Sequence, residues 1–442
     1  MQSIIEYLKR GPSTSKEIQA AMGLSQSTVS RMLKDLGGSI VQITDGRSVR
    51  YAATCNAFGV NDRIPLSIID ESGEIHSIAD VRPLNCGQFF IEPKEDFPSL
   101  LLGEKKNGLY DDLPYFLLDL KPQGYLGRQI AKRISKQLDD FPADPRSWNT
   151  NHIGRYLISN GEDLPGNFIL GEQLLLRVRR DPVAADRADY PELVEKAVKG
   201  DPPGSSAGGE QQKFTAFNRE LYSHVIVKFS GKGKNEVIER WRDILITEYH
   251  AATVLAEHGY PVAQTDLFEL DGRLFLETQR FDRVGIAGRL PMISLDMVDR
   301  EFVGIGNNWH RVMEDLHAQG LVSEEDAQTA QELQFFGRLI NNTDMHLGNL
   351  SLSIKGGVFG LLPAYDMCSM GFAPKNGEVL PYEAAMDLQI NASHDRVPDN
   401  IREMVCEFWQ NVLSDERISG QLNDFLSHND FRFLDTDSGM RM

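Results

Sequence analysis

With 442 residues, 41% hydrophobic and 25% charged, the chain has a globular composition and is too long for one ordinary core, so two or three domains are expected. Acids outnumber bases 64 to 46, and the net charge of -18 argues against nucleic-acid binding over the whole surface. No apolar run is long enough to cross a bilayer, the start Met1–Glu6 lacks an export pattern, and the four scattered cysteines suggest neither a disulfide framework nor a zinc site; a cytoplasmic protein with no membrane partner is expected.

The charge is uneven. Residues 1–55 hold seven Lys or Arg against four acids, a net of +3 that leaves -21 for the remainder. A small basic head on an acidic body confines any DNA contact to the head. Ser15–Met22 reads as a short helix, Gly23-Leu24-Ser25 as a turn ending in an N-cap, and Gln26–Leu36 as a second helix. Val29, Met32, Leu33 and Leu36 recur at helical spacing and are predicted to face inward. That leaves Gln26, Ser27, Ser30, Arg31 and Lys34 outward, with side chains that reach base edges and phosphates. Residues 39–44 and 48–53 flank Asp45-Gly46-Arg47, a hairpin signal. Helix, turn, helix and hairpin resemble the winged helix-turn-helix DNA-binding domain, with Ser27, Arg31 and Lys34 on the reading helix and Arg47 and Arg50 at the wing as DNA contacts. A protein-docking trihelical head is the alternative, which charge and turn chemistry disfavour.

Residues 64–70 and 73–75 are predicted as strands around a turn, and 88–92 as another. Gly124–Arg128 precedes a helical pattern through Ile130, Ile134 and Leu138, and residues 168–171 and 174–178 suggest a further hairpin. Residues 181–209 are rich in Pro, Asp, Gly and Ala, and at least the later part is predicted to be a mobile loop. It ends in Gly204-Ser205-Ser206-Ala207-Gly208-Gly209, small residues whose amides can approach phosphates, followed by Lys213 as counter-charge. The segment is neither a Walker A nor a G-x-G-x-x-G motif, and a plain linker stays open. His224–Phe229 reads as a strand with Lys228 in an apolar setting. A buried ammonium is costly unless paired, and Glu248, on the helical pattern from Trp241 to Leu255, is the candidate partner. A solvent-facing Lys and Glu is the alternative.

The most informative stretch is Asn341–Asn349. Asp344-x-x-x-x-Asn349 is followed by two short apolar runs, 350–354 and 358–362, around Lys355-Gly356-Gly357, and then by Asp366. A tight hairpin would bring Asp366 back beside Asn349. Phosphoryl transfer needs a proton acceptor for the substrate hydroxyl and oxygen ligands for the magnesium on ATP, and this arrangement supplies both.

Taken in order, Ser205-x-Ala207-Gly208, Gln212-Lys213, Lys228, Glu248, Arg280-Phe281-Asp282-Arg283, Asn342-Thr343-Asp344-x-His346-x-x-Asn349 and Tyr365-Asp366 resemble the HipA-type serine/threonine kinases, toxins of a bacterial toxin-antitoxin class, over roughly residues 60–440. The resemblance implies an α+β chain: a winged helix-turn-helix at 1–58, a mixed α/β N-terminal kinase lobe with its phosphate loop at 59–280, and a helical C-terminal lobe with the catalytic loop at 281–442. It further implies a protein kinase that uses ATP and Mg2+. Asp344 would orient or deprotonate the substrate hydroxyl, and Asn349 and Asp366 would hold magnesium. Lys228, with Glu248, would meet phosphate; Ser206, Ala207, Gly208 and His346 would complete the ATP set, and the chain around Gln279 and Phe281 would form the hinge at adenine. Ser205 matches the autophosphorylated serine, although an apparent extra residue in Gly209–Gln212 leaves Ser206 as the alternative. By family analogy the substrate is a bacterial protein such as an aminoacyl-tRNA synthetase, and the fused head makes a separate antitoxin dispensable. Two other readings stay open: a transcriptional regulator whose kinase-like body senses nucleotide, and a small-molecule phosphotransferase.

Overall fold

The computed structural model describes residues 3–95, 97–178, 182, 184–198, 211–375, 377–386 and 397–428. The expected phosphate loop with Ser205, Ser206, Ala207 and Gly208 lies outside the described residues.

The head follows its local signals. Thr14 and Glu17 form a reciprocal capping box that starts the helix Ser15–Met22, Gly23 ends it in the left-handed conformation at φ 66°, and Ser25 caps the reading helix Gln26–Leu36. Ile40–Asp45 and Ser48–Ala53 pair as the wing, with Ser13–Thr14 on the far edge of Ser48–Ala53. Val29 and Leu33 join Ile4, Leu8, Ile18 and Ile40 in a small core. Met32, expected inside, is 38% exposed. It lies about 60° round the helix from Val29, on the side away from Leu33, and so falls on the rim of the apolar stripe.

A second unit is built on a five-stranded antiparallel sheet, ordered Leu109–Tyr110, Phe89–Pro93, Ile75–Pro83, Ile64–Ile69, Phe168–Leu170. The helices Gly124–Ser135 and Thr150–Asn160 contribute Ala131, Ile134, Ile153 and Leu157 to its core. Two expectations are corrected here. Residues 174–178 do not return as a strand: Phe168–Leu170 pairs with Ile64–Ile69 instead, and Leu175–Val178 is one helical turn behind the buried Leu174. The helix after Gly124 ends at Ser135, before the exposed Leu138. The wing packs on this unit through Val41, Ile43 and Ala52 against Leu84 and Phe90. Arg82, 2% exposed, donates to the Gly38 and Asp62 carbonyls at 2.8 Å and to the Asp62 and Glu92 carboxylates at 2.8 and 2.9 Å. These bonds satisfy the guanidinium that makes head and body one packed object.

The third unit begins earlier than the composition of 181–209 suggests. Tyr190 and Val194, one turn apart in the helix Tyr190–Val198, are buried against Phe214, Val225, Val227 and Phe275. The sheet runs Thr265–Leu270, Arg273–Gln279, Ser223–Phe229, Lys213–Asn218, Ala184–Ala185, and the helix Glu236–Glu257 packs across it. Helices Leu295–Phe302, Trp309–Ala318, Glu324–Leu339, Asp399–Ser414 and Gly420–His428 form the last lobe, which carries the hairpin Ser351–Lys355 and Val358–Leu361. Its core is continuous with that of the second unit: Phe116, Leu157, Leu295, Phe336 and Phe408 belong to one cluster. Among the described residues no helix is long and apolar enough to cross a membrane.

Candidate active site

The strand Ser223–Phe229 buries Val225, Val227 and Phe229 on one face, so the period of two turns Lys228 to the other. Lys228, 6% exposed, there meets Glu248 from the helix Glu236–Glu257, with Nζ 2.6 Å from both carboxylate oxygens. Its remaining reach goes to Asp366 Oδ1 at 2.7 Å. The expected hairpin does return Asp366, with a left-handed backbone at φ 54° that is uncommon outside glycine. One ammonium thus stands between two carboxylates. Burial alone would lower the Lys228 pKa, but Asp366 and Glu248 outweigh it and hold it above the ordinary lysine range. Burial pushes the Glu248 carboxyl up despite the lysine, whereas for Asp366 the burial cost is overcome by Lys228 and Lys213 and its pKa lies below the carboxylate range. The two carboxylates share one cation, and Asp366, with 34% of its side chain open to the cleft, is the one whose pKa the lysines lower.

The candidate catalytic loop is pinned from several sides. Where the helix Glu324–Leu339 ends, Asn341 takes a left-handed conformation and Asn342 N–H donates back to the Gly337 carbonyl at 2.8 Å. Asn342 Oδ1 accepts from Asp344 N–H at 3.0 Å, and Asn349 Nδ2 donates to the Asp344 carbonyl at 2.7 Å. Trp309 Nε1 donates to the His346 carbonyl and Tyr365 Oη to the Gly348 carbonyl, each at 3.0 Å. The backbone is held while the Asp344 side chain stays 53% exposed, with His346 Nε2 3.7 Å from Oδ1. Asn342, Trp309 and Tyr365 thus hold the loop; the first and last stand in the quoted motifs, whereas no local sequence signal marked Trp309.

Gln279 and Arg280 spend their N–H groups on the Gln264 and His224 carbonyls, so the hinge backbone continues the sheet. Phe281 N–H has no hydrogen-bond acceptor among the described residues, and its ring lies 5.6 Å from that of Tyr365. The flanking charges are structural. Arg280 and Arg283 clamp Asp282 and reach Asp163 at 2.8 and 3.1 Å, and Gly166 N–H donates to Asp282 at 2.9 Å, which ties the second unit to the hinge. Burial opposes the Asp282 charge, but the two arginines hold its pKa well below the carboxylate range. Nearby, burial and Arg283 push Arg289 down to about 9.

Lys228, Glu248, Gln279, Phe281, Asp344, His346, Asn349 and Asp366 all line one cleft of about 1640 Å³ between the sheet and the catalytic loop. The second unit supplies its outer wall through the helix Gly124–Ser135. Away from it, Ser27, Arg31 and Lys34 are exposed on the reading helix and Arg47 at the wing tip. Arg50 is half-buried and donates to the Pro12 carbonyl at 3.4 Å.

Fold and cleft define a two-lobed HipA-like body with an N-terminal helix-turn-helix. Residues 205–425 match the family "HipA-like C-terminal domain", residues 60–179 "YjjJ-like toxin, middle domain", and residues 3–39 "Bacterial regulatory protein, arsR family". Over 435 residues the chain is 33% identical to "Toxin YjjJ" of Escherichia coli (strain K12), across 95% of this chain and 94% of that protein. The HipA of Shewanella oneidensis MR-1, solved with HipB and its operator DNA, shares the fold at a TM-score of 0.54 and 16% identity, across 84% of this chain and 95% of that one. The chain belongs to the YjjJ-like group of the HipA-like toxin family.

Proposed function

We propose that the protein is a Mg-ATP-dependent protein serine/threonine kinase whose own head binds DNA. The observation that carries this reading is Lys228 bracketed by Glu248 and Asp366 in the same cleft as Asp344 and Asn349. The donors facing the cleft fit magnesium: Asp366 offers carboxylate oxygen, and the Asn349 amide, anchored through its nitrogen, leaves its carbonyl oxygen for ligation. Magnesium takes few protein ligands, and when bound it neutralises charge developing on the phosphates.

In the reaction the hydroxyl oxygen of a substrate Ser or Thr forms a bond to the γ-phosphorus of ATP, the bond to the bridging oxygen breaks, and ADP leaves. Asp344 accepts the hydroxyl proton. Lys228, fixed by Glu248, sets a positive charge against the phosphates, and Lys213, paired in register with Lys228 on the next strand, adds a second. The Phe281 N–H, without an acceptor among the described residues, would donate to a ring nitrogen of adenine. Ser205 is the proposed site of self-phosphorylation. The proposed substrate is a bacterial protein in the cytoplasm, with an aminoacyl-tRNA synthetase the first to test, and the head takes the place of a separate DNA-binding antitoxin.

The test is incubation of the full chain with labelled ATP and a cell extract, beside Asp344→Ala and Asn349→Ala. We expect labelled proteins with wild type and a loss of at least about a hundredfold in either variant, both of which keep the wild-type melting temperature. Equal labelling by all three would end the kinase reading.

A further inference from the structure

The outer wall of the cleft carries a charge opposite to that of the chain as a whole. Residues 119–136 contain Lys121, Arg128, Lys132, Arg133 and Lys136 against Asp119 alone, a net of +4 in a chain of net -18. Tyr125, Ala131 and Ile134 are buried and fix the helix Gly124–Ser135, which leaves Arg133 and Lys136 exposed one turn apart. Both line the same cleft as Asp344, as does Lys121. None of the three makes an ion pair among the described residues, and all three face the cleft that holds Asp344. Lys228 and Lys213, paired in register on the sheet, already set charge against the phosphates of ATP; the helix Gly124–Ser135 packs beside the strand Lys213–Asn218, and Arg133 and Lys136 lie at that helix's C-terminal end.

Resting on the kinase reading above, we propose that the phosphoacceptor protein is recognised through an acidic segment laid along Lys121, Arg133 and Lys136. Side chains three apart on a helix lie about 5–6 Å from one another. Alternate side chains of an extended segment repeat at about 6.5–7 Å, so successive same-side carboxylates meet successive cations while a Ser or Thr farther along reaches Asp344. A nucleic acid suits the wall less well, because a charge on every nucleotide would also meet Asp119 and Asp296, which line the same cleft.

The test compares the full-length wild type with R133E/K136E, whose substitutions fall on exposed positions outside the catalytic set. Binding of a fluorescent peptide, one Ser followed by four Asp, is followed by anisotropy beside a neutral Ser-Asn peptide and a single-stranded oligothymidylate. Phosphate transfer to a degenerate Ser/Thr peptide library is measured in parallel. We expect the acidic peptide to bind on the order of tenfold more tightly than the neutral one at low salt, the preference to fade as salt rises, and the double variant to lose it with an unchanged KM for ATP. Acidic residues should be enriched among phosphorylated library members. Equal affinity for acidic and neutral peptides, or a variant that keeps the preference, overturns the proposal even when transfer is intact. Binding of the oligothymidylate alone, lost in the variant, overturns it in favour of nucleic acid. Acidic binding that the variant loses, with no transfer to any peptide, upholds the docking surface and removes the kinase reading instead.

Discussion

Lys228→Met keeps the length of the stem and removes only the charge, which leaves Glu248 and Asp366 facing each other across an apolar gap. Breaking a buried ion pair by removing one partner typically costs about 3–5 kcal/mol, because the charge left behind has lost its solvent and its counter-ion. Glu248 is almost wholly enclosed, but Asp366 keeps 34% of its side chain accessible, so water screens part of the loss and about 3 kcal/mol is the appropriate end of that range. For a cooperative unit of 150–250 residues this corresponds to a fall of about 6–12 °C in the melting temperature. The pH dependence carries the sharper signature. In the wild type, depression of the Asp366 pKa gives a contribution present above the unfolded carboxyl value of about 4 and lost only in acid. Without the lysine both carboxyls lie above their unfolded values. Each then favours the folded state most below about pH 4, and loses that contribution as pH rises through its folded pKa. The gap between wild type and Lys228→Met should therefore be wider at pH 8 than at pH 5, and millimolar Mg2+ should narrow it by binding the exposed carboxylate. Scanning fluorimetry at the two pH values, with and without Mg2+, measures all of this. A fall of less than about 2 °C that is the same at both pH values would refute the account of the cluster.

Three further outcomes are expected. Mass spectrometry after incubation with Mg-ATP should find phosphate at Ser205, with activity falling as it accumulates, since about -1.5 to -2 added charges oppose an anionic nucleotide; an active enzyme unmodified at Ser205 and Ser206 contradicts this. In titrations of selected DNA at several salt concentrations, Arg47→Ala should lower the salt slope by about one unit across sequences, whereas Arg31→Ala should relax specificity at one base position at a cost of roughly 1–3 kcal/mol; salt-independent binding would leave the head as a protein-docking module. Arg82→Ala should raise hydrogen exchange along residues 38–43 and 82–92 together without changing phosphate transfer, and protection unchanged in both segments would mean that the wing holds to the body by apolar packing alone.

What could be read from the sequence was what lies close along it. The head was legible because each signal acts within a few residues: Gly23-Leu24-Ser25 for the turn and the cap of the second helix, Asp45-Gly46-Arg47 for the wing turn. The clustering of the candidate site was legible because Asp344, Asn349 and Asp366 are joined by one short hairpin, and Lys228 with Glu248 by a single strand-to-helix connection. Errors came where the deciding partner is remote. Phe168–Leu170 looked ready to pair with the residues just after it, but its edge is taken by Ile64–Ile69, a hundred residues earlier. The signature Arg280-Phe281-Asp282-Arg283 gave no hint that its charges are spent on Asp163 and Gly166, more than a hundred residues upstream. Composition said little about 184–198, where alanines and acids surround Tyr190, whose hydroxyl bonds the buried Glu277, and the later part of 181–209, predicted as a mobile loop, lies outside the described residues.

Those remote contacts bear on how the units work together. The second unit carries no residue of the Lys228, Asp344, Asn349 and Asp366 set, yet it holds the head through Arg82, grips the hinge through Asp163 and Gly166, and walls the cleft with Gly124–Ser135. A kinase-like lobe brings nucleotide and acceptor hydroxyl together by its own geometry, and such geometry is shared by enzymes with unrelated targets. Discrimination among targets has to come from surface that touches the acceptor protein beyond its hydroxyl. In the docking proposal above the second unit supplies that surface, and the head is packed on the same unit. The proposed substrate wall and the wing beside the reading helix are thus attached to one sheet-based unit, whose core residues Phe116 and Leu157 share a cluster with Val254 and Leu255 of the helix that carries Glu248, so a substitution there would be felt at the wall, at the wing and in the cleft together.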